Sequence, residues 1–160
     1  MARSIAIRGL ILAWGLLLSC AVSAASGLIH AKNLQADAQL AAKRKVPILV
    51  VFTSPGCHFC HRVKEEYLLL MNKDPAYRNK VLIREITMGD PAPLTDFNGT
   101  PTTEGAFAAA HKVFMVPTVL VFDTQGNETG EAIVGLLTPD FYFGYLMSAI
   151  ETGMERVRGN

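Results

Sequence analysis

Very little in this chain is present in excess. Its 160 residues carry 15 Lys and Arg against 14 Asp and Glu, a formal charge of +1. That balance excludes the basic stripe by which a domain grips nucleic acid, so no nucleic acid is expected as a partner. Cysteine is scarce as well. Three residues cannot build the framework of a disulfide-stapled miniprotein. No internal repeat and no linker-like stretch divides the chain. Charged residues make up 18% and hydrophobic residues 50%, which excludes a disordered polymer and leaves one small globular domain.

The apolar surplus begins at the N-terminus. Arg3 and Arg8 precede an apolar run over residues 10–18, broken only by Gly15, and small residues follow from Ser19 to Ser26. This is the pattern of an export signal over residues 1–25, with the domain proper over 26–160. The run is shorter than the about 20 residues a membrane-spanning helix needs, which argues against a retained anchor. Val22-Ser23-Ala24 and Ser23-Ala24-Ala25 both offer small residues where a signal peptidase reads. Leu17-Leu18-Ser19-Cys20 resembles a bacterial lipoprotein box, in which Cys20 would become a lipid-anchored N-terminus. The second leucine is unusual there, so simple secretion is favoured. Either route expects a periplasmic or otherwise extracytoplasmic domain, where disulfides persist. Cleavage would remove Trp14, the one tryptophan, and with Cys20 cut away or lipidated the free thiols are Cys57 and Cys60.

Further along, the pattern alternates between helix and strand. Residues 33–44 place Leu34, Ala38 and Ala41 on one helical face, and Pro47 stops them. Residues 48–52 are a continuous apolar run, β-branched and aromatic apart from Leu49, the pattern of a strand buried on both faces. Ser54-Pro55-Gly56 breaks that strand, and a helix is expected from Cys57, with Cys60, Val63, Tyr67 and Met71 on one face and Leu70 also in the core. A second strand is expected over 81–86. Residues 87–103, rich in proline, glycine and threonine, read as a long loop, functional or mobile. Thr100 is expected to cap a short helix over 102–112. A third strand spans 118–122, turns at Gln125-Gly126-Asn127 and returns over 131–135. Thr138-Pro139-Asp140 starts a last helix running to about residue 152, with a frayed tail to 160. This order argues an α/β fold, a central sheet with helices on both faces.

The chemistry lies in Cys57-His58-Phe59-Cys60, where the buried strand hands over to a helix. Unpaired N–H groups and the dipole at a helix N-terminus stabilise a thiolate on the first cysteine. The thiolate is the attacking species in disulfide exchange. Cys60 lies one turn on, within reach of a disulfide, and begins the apolar stripe. It is therefore expected buried and Cys57 exposed. His58 and His61 add positive charge beside the sulfur.

These residues carry a family resemblance. VPILVVFTSPGCHFCHRVKEE resembles the active-site segment of thioredoxin-fold proteins. Val116-Pro117-Thr118 with the following VLVF resembles their cis-proline loop, and DTQGNETGEAIVGLLTPDFYFGYL their last hairpin and helix. Among subfamilies the chain resembles exported thioredoxin-like proteins related to bacterial disulfide isomerases and to sulfur-oxidation thioredoxins. The resemblance implies a thioredoxin-like fold with a mixed sheet, and a protein-disulfide oxidoreductase that reduces or isomerises rather than oxidises. It implies Cys57 as nucleophile, Cys60 as resolving thiol and a cis Pro117, with the Val116 backbone pairing to a substrate strand. His58 and Phe59, between the cysteines, would tune the redox properties. The implied partners are a protein disulfide and, for an exported reductase, a membrane electron relay; no cofactor and no metal are implied. Three positions depart from thioredoxins: Gly56 replaces the usual tryptophan, Val51 the buried aspartate that serves proton transfer, and His-Phe the usual Gly-Pro.

Rival readings use the same residues. Cys57-His58-Phe59-Cys60-His61 also matches the C-x-x-C-H haem-attachment motif, with His61 and Met115 as axial ligands. A buried strand running into the motif argues against it. An inert disulfide gains little from so short a loop. Zinc would need the adjacent Cys57 and His58 to point at one metal. A non-catalytic module holding an extended peptide is the remaining alternative. His30 and His111 have no partner visible in the sequence.

Overall fold

The computed structural model of the chain describes residues 27–159. The expected export signal, Trp14 and Cys20 lie outside the described residues. Within them, the strand β1 (Ile48–Thr53) is buried at all six positions. It can be so because it is interior to a four-stranded sheet of order β2-β1-β5-β6. It runs parallel to β2 (Leu82–Thr87) and antiparallel to β5 (Thr118–Phe122). β6 (Ile133–Val134) closes the far edge as a hairpin partner of β5, after a turn at Gly126.

Alternation along β1 feeds two cores. Ile48, Val50 and Phe52 pack with Leu34, Ala38 and Ala41 of α1 (Leu34–Arg44) and with Phe107 of α5 (Glu104–Ala110). Leu49 and Val51 face the other way, toward Val63, Leu68 and Met71 and toward Tyr142, Leu146 and Ile150 of α6 (Pro139–Gly159). Each fully buried aliphatic of this kind contributes about 1.5–3 kcal/mol. The result is the expected α/β architecture, a mixed sheet with helices on both faces. Asn33 caps α1, its Oδ1 accepting from the Ala36 N–H at 2.8 Å, and Lys45 ends it in the left-handed region. Just before α1, the Ala31 N–H donates to the Glu85 carbonyl, and the Glu85 N–H to that of Ile29. This N-terminal segment covers the outer edge of β2. Among the described residues no helix is long and apolar enough to cross a membrane.

The helix expected from Cys57 is not uniform. α2 (His58–Val63) passes through a π-helical turn (Lys64–Leu68) into α3 (Leu69–Lys73), then α4 (Pro75–Arg78). A π turn adds a residue and rotates everything after it. Leu68 and Leu69 therefore enter the core, whereas Leu70, expected there, is 59% exposed. Tyr67 is only half-buried; its hydroxyl donates to the Pro139 carbonyl and its ring lies against Tyr142. Burial, with Tyr67 nearby, pushes the Tyr142 hydroxyl well above its ordinary value, so it stays protonated.

Three further expectations are corrected. The 87–103 segment is not irregular throughout: β3 (Pro93–Thr95) and β4 (Pro101–Thr103) pair in a small antiparallel sheet. Asp96 makes the turn between them, its Oδ1 accepting from the N–H groups of Asn98 and Thr100. Leu94 is buried beneath it, and the Phe97 ring packs at a tilt against those of Phe107 and Phe122. Thr103, not Thr100, caps α5, which is shorter than expected because β4 uses the residues before it. Lastly, the tail is helical to Gly159. Gly153 is buried where α6 crosses the sheet, and a Cβ there would stand 2.8 Å from both Pro47 and Val121.

That contact separates packing from propensity. Gly153→Val is expected to lower stability by about 2 kcal/mol through overpacking. Gly144→Ala, at an exposed position of the same helix with nothing near a new Cβ, should raise it by up to about 1 kcal/mol. Urea denaturation of the two variants checks both signs.

Candidate functional site

The site begins where β1 leaves the sheet. Ser54, Pro55, Gly56 and Cys57 form a tight turn closed by the Cys57 N–H donating to the Ser54 carbonyl at 3.3 Å. Proline at the second position fixes its own φ, and the third must adopt positive φ; Gly56 has φ +74°. This accounts for glycine where thioredoxins carry a large side chain. Cys57 then caps α2, its Sγ accepting from the Cys60 N–H at 3.1 Å. That N–H is one of the orphan donors of a helix start, and it is aimed at the sulfur.

Cys57 and Cys60 are joined by a disulfide, with Cα atoms 5.2 Å apart. Cys60 is 2% exposed, packed on the same face as Val63. Cys57 is half-buried rather than fully exposed, because capping turns its sulfur back toward the helix and the bond to Cys60 holds it there. His58 is exposed and its ring meets that of Phe59 edge-on at 5.7 Å; Phe59 is 52% exposed. His61 is exposed. An open cavity of about 470 Å³ lies along the disulfide, lined by Thr53, the Ser54–Gly56 turn, both cysteines, His58, His61 and Lys64.

The second expected element comes to the same end of the sheet. Phe52 pairs with Thr118, so Val116 and Pro117 stand beside the end of β1. The Val116–Pro117 peptide is cis. Val116 is half-buried and Pro117 buried, and the Pro117 carbonyl accepts from the Gly135 N–H at 2.7 Å. Phe114 and Met115, just before them, are exposed.

Several polar groups escaped the sequence reading. Arg84 and Glu85 are both buried on β2, one on each face of the sheet. Arg84 Nε donates to Asp37 Oδ2 of α1 at 2.9 Å. Glu85 Oε1 accepts from Thr53 Oγ1 at 2.7 Å and from Lys64 Nζ at 2.9 Å. The signal was present: two adjacent opposite charges interrupt an otherwise apolar strand. His30 and His111 also have partners. His30 lies between Glu85 and Glu104, and His111 Nδ1 is 2.6 Å from Glu128 Oε1. Among the described residues no group of three or more His, Cys, Asp or Glu is arranged to hold a metal ion.

Comparison with known proteins agrees with this geometry. The family model of thioredoxin-like domains matches residues 34–149. Among solved structures, a thioredoxin-fold protein from Helicobacter pylori is similar at a TM-score of 0.55 and 15% identity, over 69% of this chain and 73% of that one. Thioredoxin O2 from Arabidopsis thaliana is similar at 0.49 and 18%, over 79% and 93%. The periplasmic thioredoxin SoxS from Paracoccus pantotrophus is similar at 0.46 and 22%, over 66% and 97%. No curated protein matches the chain.

The turn into the site gives a clean test, because no atom lies within 4 Å of a Cβ built on Gly56. Any penalty at that position is backbone strain alone. Gly56→Ala should lower the stability of the oxidised protein by about 1 kcal/mol, measured by urea denaturation.

Proposed function

The chain belongs to the family of thioredoxin-like domains, and on that premise we propose that it is an exported thiol–disulfide oxidoreductase acting on a protein disulfide. The observation that carries this reading is the asymmetry of one bonded pair. Cys57 opens onto a cavity with a helix N–H aimed at its sulfur, and Cys60 is buried behind it. In the reduced form Cys57 is the nucleophile. Its thiolate attacks a sulfur of the partner disulfide, and the other partner sulfur leaves with the electron pair. Cys60 then attacks the Cys57 sulfur of the mixed disulfide. The Cys57–Cys60 bond forms, and the second partner sulfur leaves as a thiolate that takes up a proton. The partner disulfide is reduced and the dithiol oxidised.

His58 and Phe59 tune this exchange, the first by placing an imidazole on the cavity that holds the disulfide and the second by presenting an exposed apolar ring next to it. Val116 and Pro117 form the substrate-facing edge. Among the described residues neither the Val116 N–H nor its carbonyl has a hydrogen-bond partner, which leaves both to pair with an extended substrate. The direction we propose is reduction or isomerisation, with a membrane relay returning electrons to Cys57 and Cys60. Export rests on the Arg3 to Ser26 pattern, which argues for residues 1–25 as a signal and 26–160 as the domain. Cys20 supplies a lipid anchor if the lipoprotein route is taken.

Cys60→Ser should trap partner proteins as covalent adducts on Cys57 in envelope fractions, and Cys57→Ser should trap none. Intact mass of the same material should show a chain beginning between Cys20 and Ser26, with a lipid adduct only if Cys20 is the first residue. Equal trapping by both variants would refute the roles, and a chain retaining Met1 and Trp14 would refute export.

A further inference from the structure

The exchange reaction leaves one buried charged group without a task. Glu85 is 4% exposed and stands opposite Val51, on the sheet face that α2 covers. Its Oε1 is held by Thr53 Oγ1 and Lys64 Nζ. Both donors line the disulfide cavity, and the Lys64 N–H donates to the Cys60 carbonyl one helical turn back. Its Oε2 faces elsewhere, 3.7 Å from His30 Nε2. The other ring nitrogen of His30 is 3.5 Å from Oε1 of Glu104, a carboxylate 5% exposed whose second oxygen accepts from the Thr87 N–H. His30, Thr87 and Glu104 line a second open cavity of about 550 Å³, which shares no lining residue with the first.

The groups that face Glu85 are therefore Thr53 from β1, Lys64 from the π turn and His30 from the N-terminal segment, with Glu104 beyond His30. His61 lines the disulfide cavity alongside Lys64. Arg84, the neighbour on β2, is directed through the sheet to Asp37.

We propose that Glu85 and His30 form a proton relay joining the two cavities, through which the buried Cys60 thiol is deprotonated as it resolves the mixed disulfide. The inference rests on the dithiol reading above. A protein partner bound at Cys57 covers the mouth of the first cavity and shuts out bulk water as proton acceptor. The second cavity opens elsewhere and stays available. The Cys60 thiol gives its proton to solvent in the first cavity, the Thr53 hydroxyl that lines that cavity passes one on to Oε1 of Glu85, and the Cys60 electron pair forms the bond to Cys57. The bond between Cys57 and the partner breaks, and that electron pair leaves on the partner sulfur. Glu85 then passes the proton through His30 to the second cavity, and the partner thiolate is protonated from solvent. Oxidised dithiol and reduced partner balance with no further reagent.

The test is a single turnover of the reduced protein with insulin, quenched in acid at intervals to resolve the Cys57–insulin adduct from the final disulfide. Glu85→Gln keeps the shape and an acceptor oxygen but cannot take up and release a proton at the pH of the reaction. It should leave adduct formation unchanged and slow resolution by on the order of 10²-fold at about pH 6. The deficit should narrow as pH rises and hydroxide takes the proton directly. Glu85→Asp should recover part of the rate, and His30→Gln should lower it less than Glu85→Gln with the same pH trend. Resolution at the wild-type rate in Glu85→Gln and His30→Gln across the pH range would overturn the relay and leave the dithiol reading standing. Equal slowing of both steps at every pH, with no recovery in Glu85→Asp, would show a structural role and also overturn it. Absence of any adduct from the wild-type protein would overturn the dithiol reading itself.

Discussion

The site depends on the burial of β1 from both sides. A strand with parallel and antiparallel neighbours and helices over each face has no freedom to slide, because a shift of one residue would exchange its two apolar sets between the cores. Its end is thus fixed in space. The tight turn that follows allows one glycine of positive φ and no slack, so the first helical N–H groups arrive at a defined place, with Cys57 capping them. The same register fixes the Val116–Pro117 peptide beside the strand end. The Cys57 sulfur and the Val116–Pro117 peptide meet because both are tied to one immobile strand, a rigidity that positioned chemistry requires.

β2 shows the opposite physics. An apolar strand would be the cheaper solution, yet Arg84 and Glu85 are buried there, one charge on each side of the sheet. Buried charges persist only when paired, and breaking such a pair costs about 3–5 kcal/mol. Each is paired to a different layer: Arg84 to Asp37 of α1, Glu85 to Thr53 and to Lys64 beyond α2. These bonds fix how the helices sit over the sheet. The one on the α2 side also brings a carboxylate toward a disulfide whose own strand, with Val51, supplies none.

Much of this was legible in the sequence, for physical reasons. The two buried strands at 48–52 and 118–122 announce themselves as unbroken runs rich in β-branched residues, Pro47 marks the end of α1, and Thr138-Pro139-Asp140 marks the start of α6. The dithiol and its place between strand and helix need only spacing and turn chemistry. What could not be read depends on tertiary contact. The π turn at 64–68 has no local signature, so Leu70, expected in the core, lies at the surface. β3 and β4 are too short and too polar to show alternation, and they are held by Asp96 and by Leu94 and Phe97 packing beneath. The last helix is expected only to about residue 152 because the close approach of Gly153 to Pro47 and Val121, which holds the next turns on the sheet, is invisible along the chain. Glu85 and His30 are distant in sequence and meet only because the N-terminal segment lies along β2.

The central claim is that the Cys57–Cys60 bond is a working redox couple rather than a structural staple. Its reduction potential, measured by equilibrating the protein in graded glutathione buffers and trapping free thiols by alkylation, tests that most directly. The account predicts reversible two-electron equilibrium at a value between about −180 and −270 mV, the span from disulfide isomerase to thioredoxin. A pair that fails to equilibrate, or that stays oxidised to below about −300 mV as structural disulfides do, would contradict it.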